Sequence, residues 1–183
     1  MSGSLRNRKD DRGFTLLQLI IIVGILGVLA SIAIPQYSNW MPEYRLKSAA
    51  RDLYSNMQLA RLMAIKANKS YRLVFTTAGN GSYVVRRPDG TIEKRIDFRD
   101  YDSSGAIGYG GGNAIKNATR SGGPLPNDGI SFHYNKATFN SRGTGSSGYV
   151  YLENSRGTAY AIGTLSSGLI VLKKWDDSAS EWK

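Results

Sequence analysis

Residues Phe14–Ile34 read FTLLQLIIIVGILGVLASIAI, 21 residues without a charge. As an α-helix the run extends roughly 32 Å, at about 1.5 Å per residue. That matches the roughly 30 Å hydrocarbon thickness of a bilayer. Pro35 closes the apolar run. Upstream, Met1–Gly13 is polar, and Arg6, Arg8, Lys9 and Arg12 outnumber Asp10 and Asp11. Cationic flanks stay on the cytoplasmic side, so everything after Pro35 is expected outside the cytoplasm. A cleaved secretory signal has an apolar stretch of roughly 7–15 residues with its small-residue cleavage site behind it. Here the run is longer and its one notable small-residue junction, Gly13–Phe14, lies in front. The pattern therefore favours an anchor over a secretory signal.

Beyond Pro35 an amphipathic helix is predicted. Leu46, Ala50, Leu53, Met57, Ala60, Ala64 and Ala67 recur at alternating steps of four and three, with Lys47, Arg51, Ser55, Gln58 and Arg61 off the stripe. Pro35 and Pro42 are expected to bend or loosen the junction between the two helical parts. From Tyr71 the period becomes two: Tyr71, Leu73 and Phe75 alternate with Arg72 and Val74. Tyr83–Arg87 leads into the turn Pro88-Asp89-Gly90 and a strand from Thr91 to Phe98. Further strands are predicted at Ile130–Tyr134, at Tyr149–Glu153 and Thr158–Ile162 as a hairpin, and at Leu169–Lys173. Residues 101–127, rich in Gly and Ser, read as a long surface loop, and Trp175–Lys183 as a polar tail. The fold class is α+β: a long N-terminal helix packed on an antiparallel β-sheet domain. Its divisions are a leader at 1–13, a membrane helix at 14–35, an amphipathic helix at 36–69 and an extracytoplasmic β domain at 70–183.

Arg12-Gly13-Phe14-Thr15-Leu16-Leu17 together with Ile34-Pro35-Gln36-Tyr37 resembles the signal of type IV prepilins and pseudopilins. That resemblance implies cleavage after Gly13 by a prepilin peptidase and N-methylation of Phe14. It also implies that the helix serves first as an inner-membrane anchor and then in a filament core beside other pilin or pseudopilin subunits. Such families usually carry Glu four residues after the cleavage-site Phe; this chain has Gln18. A buried carboxylate is tolerable only when paired, and Gln18 offers a hydrogen-bond acceptor without the counter-charge. Gly24 and Gly27, with Ala30, Ser31 and Ala33, permit close helix approach in apolar surroundings. Three features further down the chain resemble the pseudopilin H/FimT branch. Arg61–Ala67 runs straight into a strand; Ile130-Ser131-Phe132 is followed by Phe139 and Arg142-Gly143; and a hairpin precedes a Gly168-led last strand. The branch implies a minor subunit that starts or caps a filament, with a secretion pseudopilus, a type IV pilus and DNA uptake all open.

Composition excludes some chemistry. There is no Cys among 183 residues, hence no disulfide and no thiolate metal site. The single His, His133, is predicted in a strand with no nucleophile arrangement beside it, and no phosphate-cradling loop occurs: Gly110-Gly111-Gly112 opens no helix. No catalytic residues are expected, and no enzyme. Asp100, Asp102 and Ser104, spaced by two before Gly105, resemble half of a calcium loop but lack its later Glu. Calcium is the one cofactor the pattern admits. A net charge of +10 allows DNA as a partner. In relatives linked to DNA uptake a Gly-Arg-x-Arg signature stands where this chain has Gly168-Leu169-Ile170-Val171. The candidate DNA contacts are then Arg86, Arg87, Lys173 and Lys174.

Overall fold

The computed structural model describes residues 15–183, apart from the side chains of Pro35 and Asn39. The leader and the Gly13–Phe14 junction lie outside the described residues. One helix, α1, runs Leu16–Ala67, and neither Pro35 nor Pro42 interrupts it. Nine strands follow: β1 Tyr71–Thr76, β2 Ser82–Arg86, β3 Ile92–Asp97, β4 Ile107–Tyr109, β5 Lys136–Phe139, β6 Gly148–Asn154, β7 Ala159–Thr164, β8 Ile170–Asp176 and β9 Glu181–Trp182. The chain divides into two compact units after Asn39, and the strands all belong to the second.

The strands form two antiparallel sheets rather than one. Sheet 1 has the order β3-β2-β1-β5, and sheet 2 the order β4-β6-β7-β8-β9. Period-two alternation turns Leu73, Phe75, Tyr83, Val85, Ile96, Ala137 and Phe139 of sheet 1 inward, where they join Val150, Leu152, Tyr160, Ile162 and Ile170 of sheet 2. The helix stripe of Leu46, Ala50, Leu53, Met57, Ala60 and Ala64 completes this core and is fully buried. Ala49 and Asn56 are buried as well, whereas Ala67, expected on the stripe, is exposed at the end of α1. Burial of each large apolar side chain contributes about 1.5–3 kcal/mol. This packing, more than helix propensity, holds the second half of α1.

A line of polar contacts runs beside the apolar stripe. Arg45 pairs with Asp102 at 3.1 Å, and the Tyr101 hydroxyl donates to Asp52 at 2.6 Å. Asn56 donates to the Tyr83 hydroxyl at 2.8 Å and accepts from the Lys94 ammonium at 3.2 Å. Burial pushes the Tyr83 phenol well above its ordinary range, so it stays protonated. The Lys174 ammonium reaches from sheet 2 to Glu43 at 2.5 Å.

Three expectations are corrected. The strand expected at Ile130–Tyr134 is not one. Ile130 makes a single bridge to Val150, and His133–Asn135 is a 3₁₀ turn with Tyr134 and Asn135 left-handed. The Asn135 amide donates to Asp128 instead of extending a ladder, and the strand begins only at Lys136. His133 is exposed in that turn. Residues 101–127 are not a surface loop throughout. They supply β4 and then fold across sheet 2, burying Ala114 and Ala118. Small side chains permit this: a Cβ on Gly112 would stand 2.2 Å from the Gly157 carbonyl oxygen. The tail is no free end either, because Trp175 is buried and β9 pairs Trp182 with it.

Candidate assembly surface

The described part of α1 begins with a reciprocal cap. The Thr15 N–H donates to the Gln18 side-chain oxygen at 3.0 Å, and the Gln18 N–H donates to the Thr15 hydroxyl at 3.2 Å. This is a Thr-x-x-Gln capping box, which satisfies two of the helix's orphan donors. Gln18 therefore has a local role that needs no partner. The Thr15–Gln18 spacing of this box is legible in the sequence itself.

From Leu16 to Ile34 the large apolar side chains are exposed, Leu16 at 75% and Ile22 at 44%. The helix is long and apolar enough to cross a membrane. A Cβ built on Gly24 or Gly27 would meet nothing within 4 Å. The isolated protomer thus has no steric need for either glycine. The hydroxyl of Ser31 donates to the Val28 carbonyl at 2.7 Å and so presents no unpaired donor on this surface. Gly13 and Phe14 lie outside the described residues, and of Pro35 only the helical backbone is described.

The candidate DNA contacts are not brought together. Arg86 ends β2 in sheet 1 and Arg87 follows it, whereas Lys173 and Lys174 lie on β8 in sheet 2. All four are engaged within the chain. Arg86 donates to the Gly90 carbonyl at 2.8 Å, and Arg87 is paired with Glu93. Lys173 donates to the Ala118 carbonyl at 3.1 Å, and the Glu43 carboxylate holds Lys174 above the usual ammonium range. The loop acids have other occupations too. Asp100 caps the 3₁₀ turn Phe98–Asp100 by accepting from the Asp97 N–H. Asp102, 3% exposed, accepts from the Ser104 N–H and hydroxyl at 3.0 and 2.6 Å besides pairing with Arg45. Burial raises the Asp102 pKa, but the Ser104 hydrogen bonds and the Arg45 charge outweigh it and hold the carboxyl below the usual range. Among the described residues no cluster of three or more His, Asp or Glu could hold a metal ion.

The profile of a family described as "Type II transport protein GspH" matches residues 49–168, from the buried half of α1 to the turn before β8. The chain belongs to this family. Its GspH-family character agrees with the relatives it resembles. It is 38% identical over 102 residues to a pilin-like protein, PilA1, of Thermus thermophilus, covering 56% of this chain and 62% of that protein. It is 31% identical over 128 residues to a fimbrial protein of Pseudomonas aeruginosa, covering 60% of this chain and 77% of that one. A shorter likeness, 60% over 31 residues, links it to the type IV major fimbrial protein FimA of Dichelobacter nodosus, over 17% of this chain and 20% of that protein. The chain thus spans 62% of the length of the Thermus relative. No solved structure matches it. A type IV pilin or pseudopilin of the GspH family, with one apolar helix and an antiparallel β domain, is what sequence and fold agree on.

Proposed function

We propose that the chain is a structural subunit of a type II secretion pseudopilus or a type IV pilus. In this reading a prepilin peptidase cuts after Gly13, Phe14 is methylated, and the helix anchors the subunit in the inner membrane until it is drawn into the filament among other subunits. The observation that carries it is the stretch Leu16–Ile34. Its side chains are exposed, it carries no charge, and it lacks any partner among the described residues. A surface so apolar needs lipid or other helices around it. The open flank at Gly24 and Gly27 supports the second environment, where small residues let helices approach closely. Gly24→Arg should therefore abolish filament incorporation, read as the chain's loss from sheared filaments; incorporation at the normal level would sink the proposal. Co-expression with a prepilin peptidase should shorten the chain by its first 13 residues, seen by intact mass.

A subunit binding DNA during uptake is the second reading, supported by the net charge of +10. It is the weaker one, because Arg86, Arg87, Lys173 and Lys174 are all engaged elsewhere. Binding that falls steeply between about 50 and 200 mM salt would revive it.

A further inference from the structure

The strand registers of sheet 1 place its outward side chains in rows. Lys136, Val74, Val84 and Arg95 lie in line across β5, β1, β2 and β3. The next row is Thr138, Arg72, Arg86 and Ile92, the last brought opposite Arg86 by a bulge at Val85/Arg86. Strands about 4.8 Å apart put Lys136 and Arg95 about 14 Å from each other, and the rows about 7 Å apart. Four cations thus flank three aliphatic residues, of which Ile92 at the edge is exposed, Val74 is half-buried and Val84 is buried.

The arrangement costs the free protein something. Arg72 and Arg86 are directly opposite in register, and like charges so placed destabilise a sheet. Among the described residues no carboxylate pairs with Arg72, Arg86, Arg95 or Lys136, although Arg86 also donates to the Gly90 carbonyl. Asp97, the one acid in the following row, accepts from the Arg99 N–H instead. Ile92 is 44% exposed beside them.

The occupant of this face must bring negative charge. A second copy does not fit, since the chain carries 24 Lys and Arg against 14 Asp and Glu and repels itself. A single-stranded nucleic acid would need a platform of rings for successive bases to stack on; neither row holds one, and the exposed Tyr134 ring beside them already lies under the Lys136 ammonium at 5.9 Å. Arginine is enriched in protein interfaces, and arginine forks match carboxylates bidentately. We propose that the outer face of sheet 1 docks the acidic surface of a different subunit. The proposal rests on the assembly reading above and names the partner that reading leaves open.

The test uses the full chain in cells that assemble the filament, with photoreactive benzoylphenylalanine at Ile92. The expected product is a heteromeric adduct to a subunit whose cross-linked surface carries Asp or Glu. Its yield should fall about tenfold in R72E/R95E, persist in R72K/R95K, and return in R72E/R95E when the facing carboxylates become Lys. R72Q/R95Q, without reversed charge, should give an intermediate yield and guards against misfolding of the reversal. A homomeric adduct, a nuclease-sensitive adduct, or a yield unchanged by R72E/R95E overturns the proposal. So does the absence of an adduct while the chain is recovered in sheared filaments. Absence of the chain from the filaments overturns the assembly reading itself.

Discussion

The two sheets bury the same core with their inner faces and treat their outer faces in opposite ways. Sheet 2 turns Tyr149, Tyr151, Ala161 and Val171 outward, and the chain covers them itself. Ala118, Leu125 and Trp182 pack on this face, and a further cluster of Ala114, Ala159 and Trp175 adjoins it. The cover is pinned by hydrogen bonds: the Ala118 N–H donates to the Tyr151 hydroxyl at 2.8 Å, and the Trp182 indole to the Lys116 carbonyl at 2.8 Å. Sheet 1 carries no such aromatic cluster on its outer face: its outer rows hold four cations and three aliphatic residues, of which Val84 is buried and Ile92 exposed. The aromatic face is closed within the subunit, while the charged one is left for whatever lies outside. A charged, aromatic-free outer face is thus a property of one sheet and not a general feature of the domain.

The largest test of that contrast is on the covered side. Trp175→Ala should destabilise the domain by about 3–5 kcal/mol, measured by urea unfolding of the full chain in detergent. A loss below about 1 kcal/mol would mean that the cover is ornamental. Acid probes the join between the sheets, because Asp102 lies between β3 of sheet 1 and β4 of sheet 2. Its folded pKa is depressed, so its contribution is fully present above the unfolded value of about 4 and is lost as pH falls through the lower folded value. Asp102→Asn should remove about 1–2 kcal/mol at neutral pH and flatten the acid side of the stability profile. A profile of unchanged slope would remove Asp102 from the account. The smallest effect belongs to the bare face. Arg72→Thr should stabilise by about 0.5 kcal/mol by relieving Arg86, with the gain shrinking as salt screens the pair. A destabilisation of 1 kcal/mol or more would show that Arg72 has a role inside the subunit.

How much of this could be read in the sequence follows from which interactions are local. The run from Phe14 to Ile34, the stripe from Leu46 to Ala64 and the alternation at Tyr71–Phe75 repeat with the period of their own element, so each was legible. The hairpin from Tyr149 to Ile162 carried its turn, Asn154-Ser155-Arg156-Gly157, between its strands. What stayed hidden depends on pairing. Nothing near Ile107 announces that it will lie opposite Asn154, and Trp182 looks like an exposed tail residue until Tyr151 is beside it. At Ile130–Tyr134 the apolar alternation was real, with Ile130 and Phe132 buried, yet the left-handed backbone at Tyr134 ends it. Among the candidate site residues, Gln18 could have been recognised as half of a capping box. The rows of sheet 1 could not, since Lys136 and Arg95 become neighbours of the same two valines only through three strand registers.

The segment between β4 and Ile130 has almost no regular structure, yet its two ends are clamped by glycine against backbone. Gly112 is closed against Gly157, and Gly129 lies where a Cβ would be 2.7 Å from the amide nitrogen of Gly110. A protease needs several residues of extended, detachable backbone, and between the clamps Ala118 is buried with its N–H held by the Tyr151 hydroxyl, which ties the middle of the stretch to sheet 2. Its length and composition mark it as an obvious place to nick; its anchoring should make it among the last to yield. Trypsin should pass over Lys116 and Arg120 while the domain is folded.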